Sequence, residues 1–247
     1  MARCQWCGAA GTIKAHLMPK SLTQEVSYDS RDGHALAFRG DKKFTPVQGG
    51  IFDRELLCGK CDGVLGDHEN YAKRTLRKLR QEIGSRVSGV YHAKEVDGDK
   101  LLQFACGVVW KFAATKSFNG KISIGPWRDR LGSYCFSGSD NYGWIDGFFA
   151  RITLGDDDVY FYRNPRPVRI NGLKFILFIA GGFQFYVKID KRGFSSQFVE
   201  NHCNIRSRGE VSVPVVPAGA TEEGRRLLGM QRAKGDLYNF LTSRRSK

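Results

Sequence analysis

The sequence predicts an α+β protein in two parts, a small zinc-stabilised domain over residues 1–94 and an α+β domain of helices and antiparallel strands over residues 95–247. Two pairs of cysteines in CxxC spacing open the chain, and segments with helical periodicity follow them. Beyond about residue 144 the apolar period shortens to that of β-strands. With 41% hydrophobic residues among 247, the chain is long enough to bury a core.

The charge of the chain is strongly positive. Lys and Arg number 39 against 25 Asp and Glu, which gives a formal net charge of +14. Such an excess indicates a polyanionic partner, although it is also compatible with a basic protein kept in solution by its charge. We therefore expect nucleic acid as a partner.

No segment is suited to a membrane, since no run of about 18 apolar residues occurs. The first residues, Met1 to Cys4, lead directly into a motif and contain no signal-peptide core. We expect a cytoplasmic protein without a membrane partner.

Four of the seven cysteines predict a structural zinc site. Cys4 and Cys7 form one CxxC pair, and Cys58 and Cys61 form another, with 50 residues between the pairs. Four thiolates are the tetrahedral ligand set of structural zinc, and a small domain with little core gains stability from such a site. A redox-active pair is the alternative, but no βαβ pattern surrounds either motif.

The remaining elements follow from periodicity and turn residues. Apolar residues at helical spacing predict a basic amphipathic helix within 71–94, a second helix within 101–118 and a helical tail within 221–243. Short apolar runs predict strands over 146–154 and 158–162. Two alternating runs, Leu173–Ala180 and Phe183–Ile189, flank Gly181-Gly182 and predict a β-hairpin.

The order of residues around the cysteines carries a further signal. His16 with Pro19 follows the first CxxC pair, and Leu56-Leu57 leads into the second pair, which opens a predicted helix. This arrangement resembles the zinc-containing branch of the HNH endonucleases over about residues 4–72. The resemblance implies a ββα-metal domain, and with it metal-dependent hydrolysis of phosphodiester bonds.

The resemblance also implies roles for individual residues. His16 would be the general base that activates water, and Asp53 would occupy the position of the Asn that supports the His-bearing loop. Asp62, His68 and Glu69 would hold a catalytic divalent cation, Mg²⁺ or Mn²⁺. The implied catalytic set is therefore His16, Asp53, Asp62 and His68.

Two departures from the family pattern bear on activity. Ala15 stands where the family often has a metal-binding Asp or His before the base, and Asp53 replaces the central Asn. Asp62 could also serve only as an N-terminal helix residue, and His68 could face solvent. These departures keep open a catalytically decayed, zinc-dependent nucleic-acid-binding protein, and a zinc-stabilised protein-interaction module is a further alternative.

Basic residues near the predicted site are candidates for phosphate contacts. They are Lys14, Lys20, Arg39, Lys42, Lys43, Lys73, Arg74, Arg77 and Lys78. A solvated helix face is the alternative for the last four. Phosphate-dominated binding predicts little sequence preference, so we expect a largely nonspecific DNA endonuclease or nickase. The layout is similar to that of HNH effectors in bacterial anti-phage systems such as type II Zorya, which implies partner proteins of a defence system.

Overall fold

The fold is described from a computed structural model over residues 2–27, 35–39, 43–47, 50–116, 120–141, 143–153, 162–222 and 224–225. The helices in these ranges are α1 (Lys20–Ser27), α2 (Gly59–Ile83), α3 (Gly98–Ala114), α4 (Trp127–Ser137) and α5 (Ser196–Glu200), with a 3₁₀ turn at Ala218–Ala220. The strands are β1 (Thr12–His16), β2 (Ala35–Arg39), β3 (Lys43–Val47), β4 (Phe52–Cys58), β5 (Gly89–Ala93), β6 (Gly147–Thr153), β7 (Arg163–Ile170), β8 (Leu173–Ala180), β9 (Phe183–Lys188) and β10 (Val211–Pro217).

The strands form two small sheets and one large sheet. β1 pairs with β4 and β2 pairs with β3, each antiparallel. The large sheet has six strands in the order β5-β10-β6-β9-β8-β7, and its pairs are antiparallel except β10 with β6, which run parallel. The predicted α+β class is confirmed, and the large sheet is mixed where the sequence predicted an antiparallel one.

The predicted glycine hairpin is confirmed as β8 and β9. Ala180 pairs with Phe183 across the turn, and φ is +58° at Gly181 and +80° at Gly182. A two-residue turn with positive φ at both positions matches the twist of the adjoining strands, and glycine adopts that conformation without a steric penalty.

The predicted basic helix is longer and begins earlier than expected. α2 begins at Gly59 inside the second CxxC pair and ends at Ile83, where Gly84 adopts φ +57°. Residues 89–93, predicted as helical, form β5 instead, paired with β10. The helix expected to open at the second CxxC pair and the basic helix predicted from periodicity are thus one continuous helix, although Gly63 and Gly66 weaken the periodic signal in its first turns.

The second predicted helix is α3, which begins after Asp97, whose side chain accepts a hydrogen bond from the Lys100 amide at 2.9 Å. α4 lies in a segment where no helix was predicted from the sequence. The predicted strand over 158–162 falls almost wholly outside the described residues, as does most of the predicted tail helix over 221–243.

One hydrophobic cluster runs from the cysteine pairs to the six-stranded sheet. α3 is buried along most of its length and packs against α2, α4 and β9. At one end of this cluster Trp6, between the first two cysteines, stacks on Phe136 at 4.8 Å and meets Trp110 edge-on at 6.3 Å. Across the predicted boundary at residues 94 and 95, β5 joins the large sheet and α2 contacts α3.

Within the described ranges, we find no helix with both the length and the apolar character required to cross a membrane.

Candidate metal centre and active site

The four paired cysteines come together where β1, β4 and α2 meet. Cys4 and Cys7 lie in a turn before β1, Cys58 is the last residue of β4, and Cys61 lies in the first turn of α2. The turn is closed by hydrogen bonds from the Cys4 amide to the Ala9 carbonyl and from the Gly8 amide to the Cys4 carbonyl, at 2.9 and 3.0 Å. The backbone therefore directs both sulfurs of each pair toward one point.

The sulfur geometry fits a tetrahedral metal. The four Sγ atoms lie within 4.8 Å of one another, and Cys7 Sγ is 3.7 Å from Cys58 Sγ. Tetrahedral zinc with Zn–S bonds of about 2.3 Å separates its sulfurs by about 3.8 Å. The predicted cysteine site is thus a four-cysteine cluster that can bind a metal such as zinc.

The thiols of the cluster differ in acidity. Burial raises the pKa of Cys4, but hydrogen bonds from the backbone of Cys7, Cys58 and Trp6 outweigh it and bring that pKa to about 6. Burial and the neighbouring cysteines raise the pKa of Cys61. The lowered pKa of Cys4 favours its thiolate, the form in which cysteine binds a metal.

His16 is the last residue of β1, at the opposite end of the strand from Thr12, which pairs with Cys58. Its neighbour Ala15 pairs with Asp53 and is fully buried, whereas His16 pairs with Phe52 and is half-buried. Burial lowers the pKa of the His16 imidazole, and the charges of Lys14 and other nearby lysines lower it further. The imidazole is therefore neutral at neutral pH, as a general base requires.

Asp62 lies directly after Cys61, in the first turn of α2, and its charge acts on His16. Burial raises the pKa of Asp62 and the charge of Glu69 adds to this, whereas Lys111 and His16 lower it. Reciprocally, Asp62 raises the pKa of His16. The two predicted site residues, 46 positions apart in the sequence, therefore lie within electrostatic range of each other.

Glu69 lies two turns further along α2 and is bound to a residue that the sequence analysis missed. Its Oε1 accepts a hydrogen bond from Lys111 Nζ at 2.6 Å, and the same ammonium donates to the His16 carbonyl oxygen at 2.7 Å. Lys111 comes from α3 and is only 2% exposed. A lysine within the apolar run from Gly107 to Ala114 was the available signal.

His68 is placed against α4 and away from His16. Its Nε2 lies 3.1 Å from the carbonyl oxygen of Cys135. Burial lowers the pKa of His68, and the groups that modulate it are the Cys135 backbone together with Asp67, Lys100 and Asp97. The structure therefore does not bring His68 together with the predicted base.

Asp53 connects β4 to the end of α3. Its Oδ2 accepts hydrogen bonds from Thr115 Oγ1 at 2.6 Å and the Lys116 amide at 3.2 Å, and its Oδ1 accepts from the Glu55 amide at 2.7 Å. The buried Asp53 carboxylate thus links β4, the strand that pairs with β1, to the end of α3.

The basic residues predicted to bind phosphate differ in their surroundings. Lys14 lies over the Phe52 ring at 3.9 Å, and Lys14 and Lys20 both act on His16 through their charge. Arg77 instead pairs with Glu25 at 2.6 Å, and Lys78 lies 3.7 Å from Glu82 and 3.8 Å from Glu95.

Five further candidates complete the predicted set. Lys73 and Arg74 lie on α2, where Arg74 is exposed and Lys73 is half-buried. Arg39 and Lys43 pair through their backbones in β2 and β3, and Lys42 lies outside the described residues.

Beyond the cysteine cluster, no group of three or more potential metal ligands converges among the residues that the structure describes. Of the predicted ligands of a catalytic cation, Asp62 is the one whose charge acts on His16. One carboxylate suffices for a hydrated Mg²⁺ that also binds substrate phosphate.

In comparisons with known proteins, no family model, no curated protein and no solved structure matches the chain.

Proposed function

We propose that this protein is a zinc-stabilised, metal-dependent endonuclease or nickase of the HNH type that hydrolyses DNA with little sequence preference. The observation that carries the proposal is the four-cysteine cluster where β1, β4 and α2 meet, together with half-buried His16 on β1 and half-buried Asp62 on α2, whose charges act on each other. Two antiparallel strands and a helix supply these groups. A role in defence against phage, alongside partner proteins, is part of the proposal that rests on resemblance alone.

The proposed reaction is an attack of water on phosphorus. Neutral His16 accepts a proton from the water as it attacks, and its lowered pKa keeps it available for this role near neutral pH. Asp62 would hold a divalent cation, Mg²⁺ or Mn²⁺, which when bound neutralises phosphate charge and stabilises the leaving oxygen. Asp62 is half-buried, so a bound phosphate can reach it.

Zinc in the cysteine cluster would set the distance between base and cation ligand. Cys7 lies five residues before β1, which ends at His16, and Cys61 immediately precedes Asp62. A closed tetrahedral site joins these two segments without entering the reaction. In this proposal the cysteines have a structural role, and His16 and Asp62 take part in the reaction.

DNA would be held through its phosphates. Lys14 and Lys20 lie close enough to His16 to affect its pKa, and the whole chain carries a formal net charge of +14. Binding of this kind weakens steeply with salt and discriminates little between sequences.

The test is conversion of supercoiled plasmid in Mg²⁺ or Mn²⁺ by wild type and by His16→Ala. We expect the variant to lose about 100-fold or more of the rate. His92→Ala is the matched control, because His92 contacts Ser212 in the large sheet, and it should cleave like wild type. Equal rates for wild type and His16→Ala would overturn the role of His16.

A second function is favoured by the engagement of two predicted ligands. Glu69 is paired with Lys111, and His68 contacts the Cys135 carbonyl. A catalytically decayed, zinc-dependent nucleic-acid-binding protein would retain these contacts. It predicts salt-sensitive DNA binding with no cleavage in any divalent metal, whereas the nuclease predicts nicked plasmid that depends on His16.

A further inference from the structure

Lys111 is a charged residue in α3, a helix that is buried along most of its length. The residues that α3 buries are otherwise apolar or glycine, and Lys111 is 2% exposed among them. Burying an ammonium group costs several kcal/mol unless it is paired and hydrogen-bonded. An apolar residue would satisfy the packing at this position, so the lysine indicates a requirement other than packing.

The ammonium group of Lys111 joins two elements of the candidate site. It donates to Glu69 Oε1 on α2 at 2.6 Å and to the His16 carbonyl oxygen at the end of β1 at 2.7 Å. The carboxylate balances its charge, and the carbonyl accepts a second of its three protons. A single side chain from α3 thereby ties the strand that carries the base to the helix that carries Asp62.

The peptide group between His16 and Leu17 is hydrogen-bonded at both ends. Its oxygen accepts from Lys111, and its N–H, the Leu17 amide, donates to the Ile51 carbonyl at 2.9 Å. Because a peptide group is planar, fixing both ends fixes its orientation. The direction of the His16 side chain is thereby restricted, and misplacement of a catalytic group by about 1 Å can cost about 100-fold in rate.

We infer that Lys111 is a positioning residue of the proposed nuclease site, holding the His16–Leu17 peptide in place with Glu69 as its counter-ion. This inference rests on the proposed function. In this inference Glu69 is not a cation ligand but helps to position the base. It also makes α3, which lies outside the segment that resembles HNH enzymes, a required part of the site.

The principal test is the double variant Lys111→Met/Glu69→Gln. It removes both charges together, so that no unpaired carboxylate stays buried, and methionine preserves most of the lysine volume. We expect kcat for plasmid nicking to fall by about 10- to 100-fold with KM for DNA unchanged. Lys100→Met is the control, because Lys100 lies on the same helix in an exposed pair with Asp97 and should leave kcat unchanged.

A second readout does not depend on catalysis. In the double variant, hydrogen exchange of the Leu17 amide should accelerate, whereas exchange in the Thr12–Cys58 part of the same strand pair should stay as in wild type. Wild-type kcat and wild-type Leu17 exchange in a folded double variant would overturn the inference while the nuclease proposal stands. If wild type itself never cleaves, the nuclease proposal fails, and the positioning role in catalysis fails with it.

A further variant addresses Glu69 alone and covers the case in which the double variant does not fold. Mn²⁺ binding, measured by calorimetry on the zinc-loaded protein, should be as tight in Glu69→Gln as in wild type and weaker in Asp62→Asn. Weakened binding in Glu69→Gln to the level of Asp62→Asn would make Glu69 a cation ligand and overturn its assignment as a counter-ion.

Discussion

The junction of β1, β4 and α2 and the six-stranded sheet are ordered by different means. At the junction, four cysteines and a few backbone hydrogen bonds set the geometry, and His16 and Asp62 stay half-buried. In the sheet, aromatic residues fill the interior, as where Phe178 stacks on Phe185 at 5.0 Å. A metal centre orders a small region without filling it with apolar side chains, which leaves room for reactive polar groups.

The two regions are nevertheless connected through α3. Trp110 meets Trp6 of the cysteine turn, and the next residue, Lys111, reaches His16. On the opposite side, α3 packs on β9. The sheet therefore supports the candidate site through α3, and the contribution of the metal can be separated from that of the core by substitutions in each region.

Loss of zinc should produce the largest effect. In Cys58→Ser we expect the free energy of unfolding to fall by more than about 5 kcal/mol, because structural zinc contributes its binding energy to folding. Trp6 should leave its contacts with Phe136 and Trp110, so that tryptophan emission shifts to the red. Urea unfolding followed by fluorescence measures both.

The control for this variant is Cys203→Ser, since Cys203 is half-buried and lies outside the cysteine cluster. It should bind zinc and unfold like wild type. Identical unfolding curves for wild type with and without a chelator that removes the metal would contradict the role of zinc.

Truncation in the sheet should cost less and leave the metal in place. Phe178 is fully buried and contacts Phe104 and Phe185. We expect Phe178→Ala to lower the free energy of unfolding by about 3–5 kcal/mol, while zinc content, measured by atomic absorption, stays at wild-type level. Loss of zinc from this folded variant would mean that the two regions are not ordered separately.

Features that depend on residues close together in the chain could be predicted from the sequence, whereas contacts between distant residues could not. The hairpin around Gly181-Gly182 and the cysteine pairs depend on neighbours in the chain, and both are in the structure. The hydrogen bond from Lys111 to the His16 carbonyl joins residues 95 positions apart, and the pair of His92 in β5 with Ser212 in β10 joins residues 120 positions apart. No local pattern encodes such contacts, so neither contact was predicted from the sequence.

The same limit applies to the proposed ligands. Spacing alone places His68 and Glu69 next to each other on α2, yet the helix directs one toward Cys135 and the other toward Lys111. Successive helical residues are separated by about 100° around the axis, so neighbours in sequence face different partners. The sequence offered one feature that distinguishes Asp62 from His68 and Glu69, namely that Asp62 directly follows Cys61 of the cysteine cluster.

Loss of the Asp53 carboxylate should have an intermediate effect. Asp53→Ala leaves the buried Thr115 hydroxyl and the Lys116 amide without this acceptor. We expect a loss of about 1–3 kcal/mol in the free energy of unfolding, measured in urea. Glu55→Ala is the control, because Glu55 forms an exposed pair with Lys116 and should cost less than about 1 kcal/mol. Equal losses in the two variants would contradict the supporting role of Asp53.

The smallest effect concerns the pH dependence of cleavage. Burial and then the charges of Lys14, Lys111 and Lys20 lower the pKa of His16 from its ordinary value of 6.5. A general base acts in its neutral form, so activity is full above this pKa and is lost as the pH falls through it. The acid limb of kcat/KM should therefore lie below pH 6.5.

In Lys14→Met one of the lowering charges is removed, so the limb should move upward, by about a few tenths of a pH unit for a partly solvated charge. Lys174→Met, an exposed change on β8 of the large sheet, should leave the limb in place. Profiles at low ionic strength give the clearest shift, because salt screens the charge of Lys14. A limb that lies above pH 6.5, or that moves downward in Lys14→Met, would mean that the titrating base is not the imidazole beside Asp62.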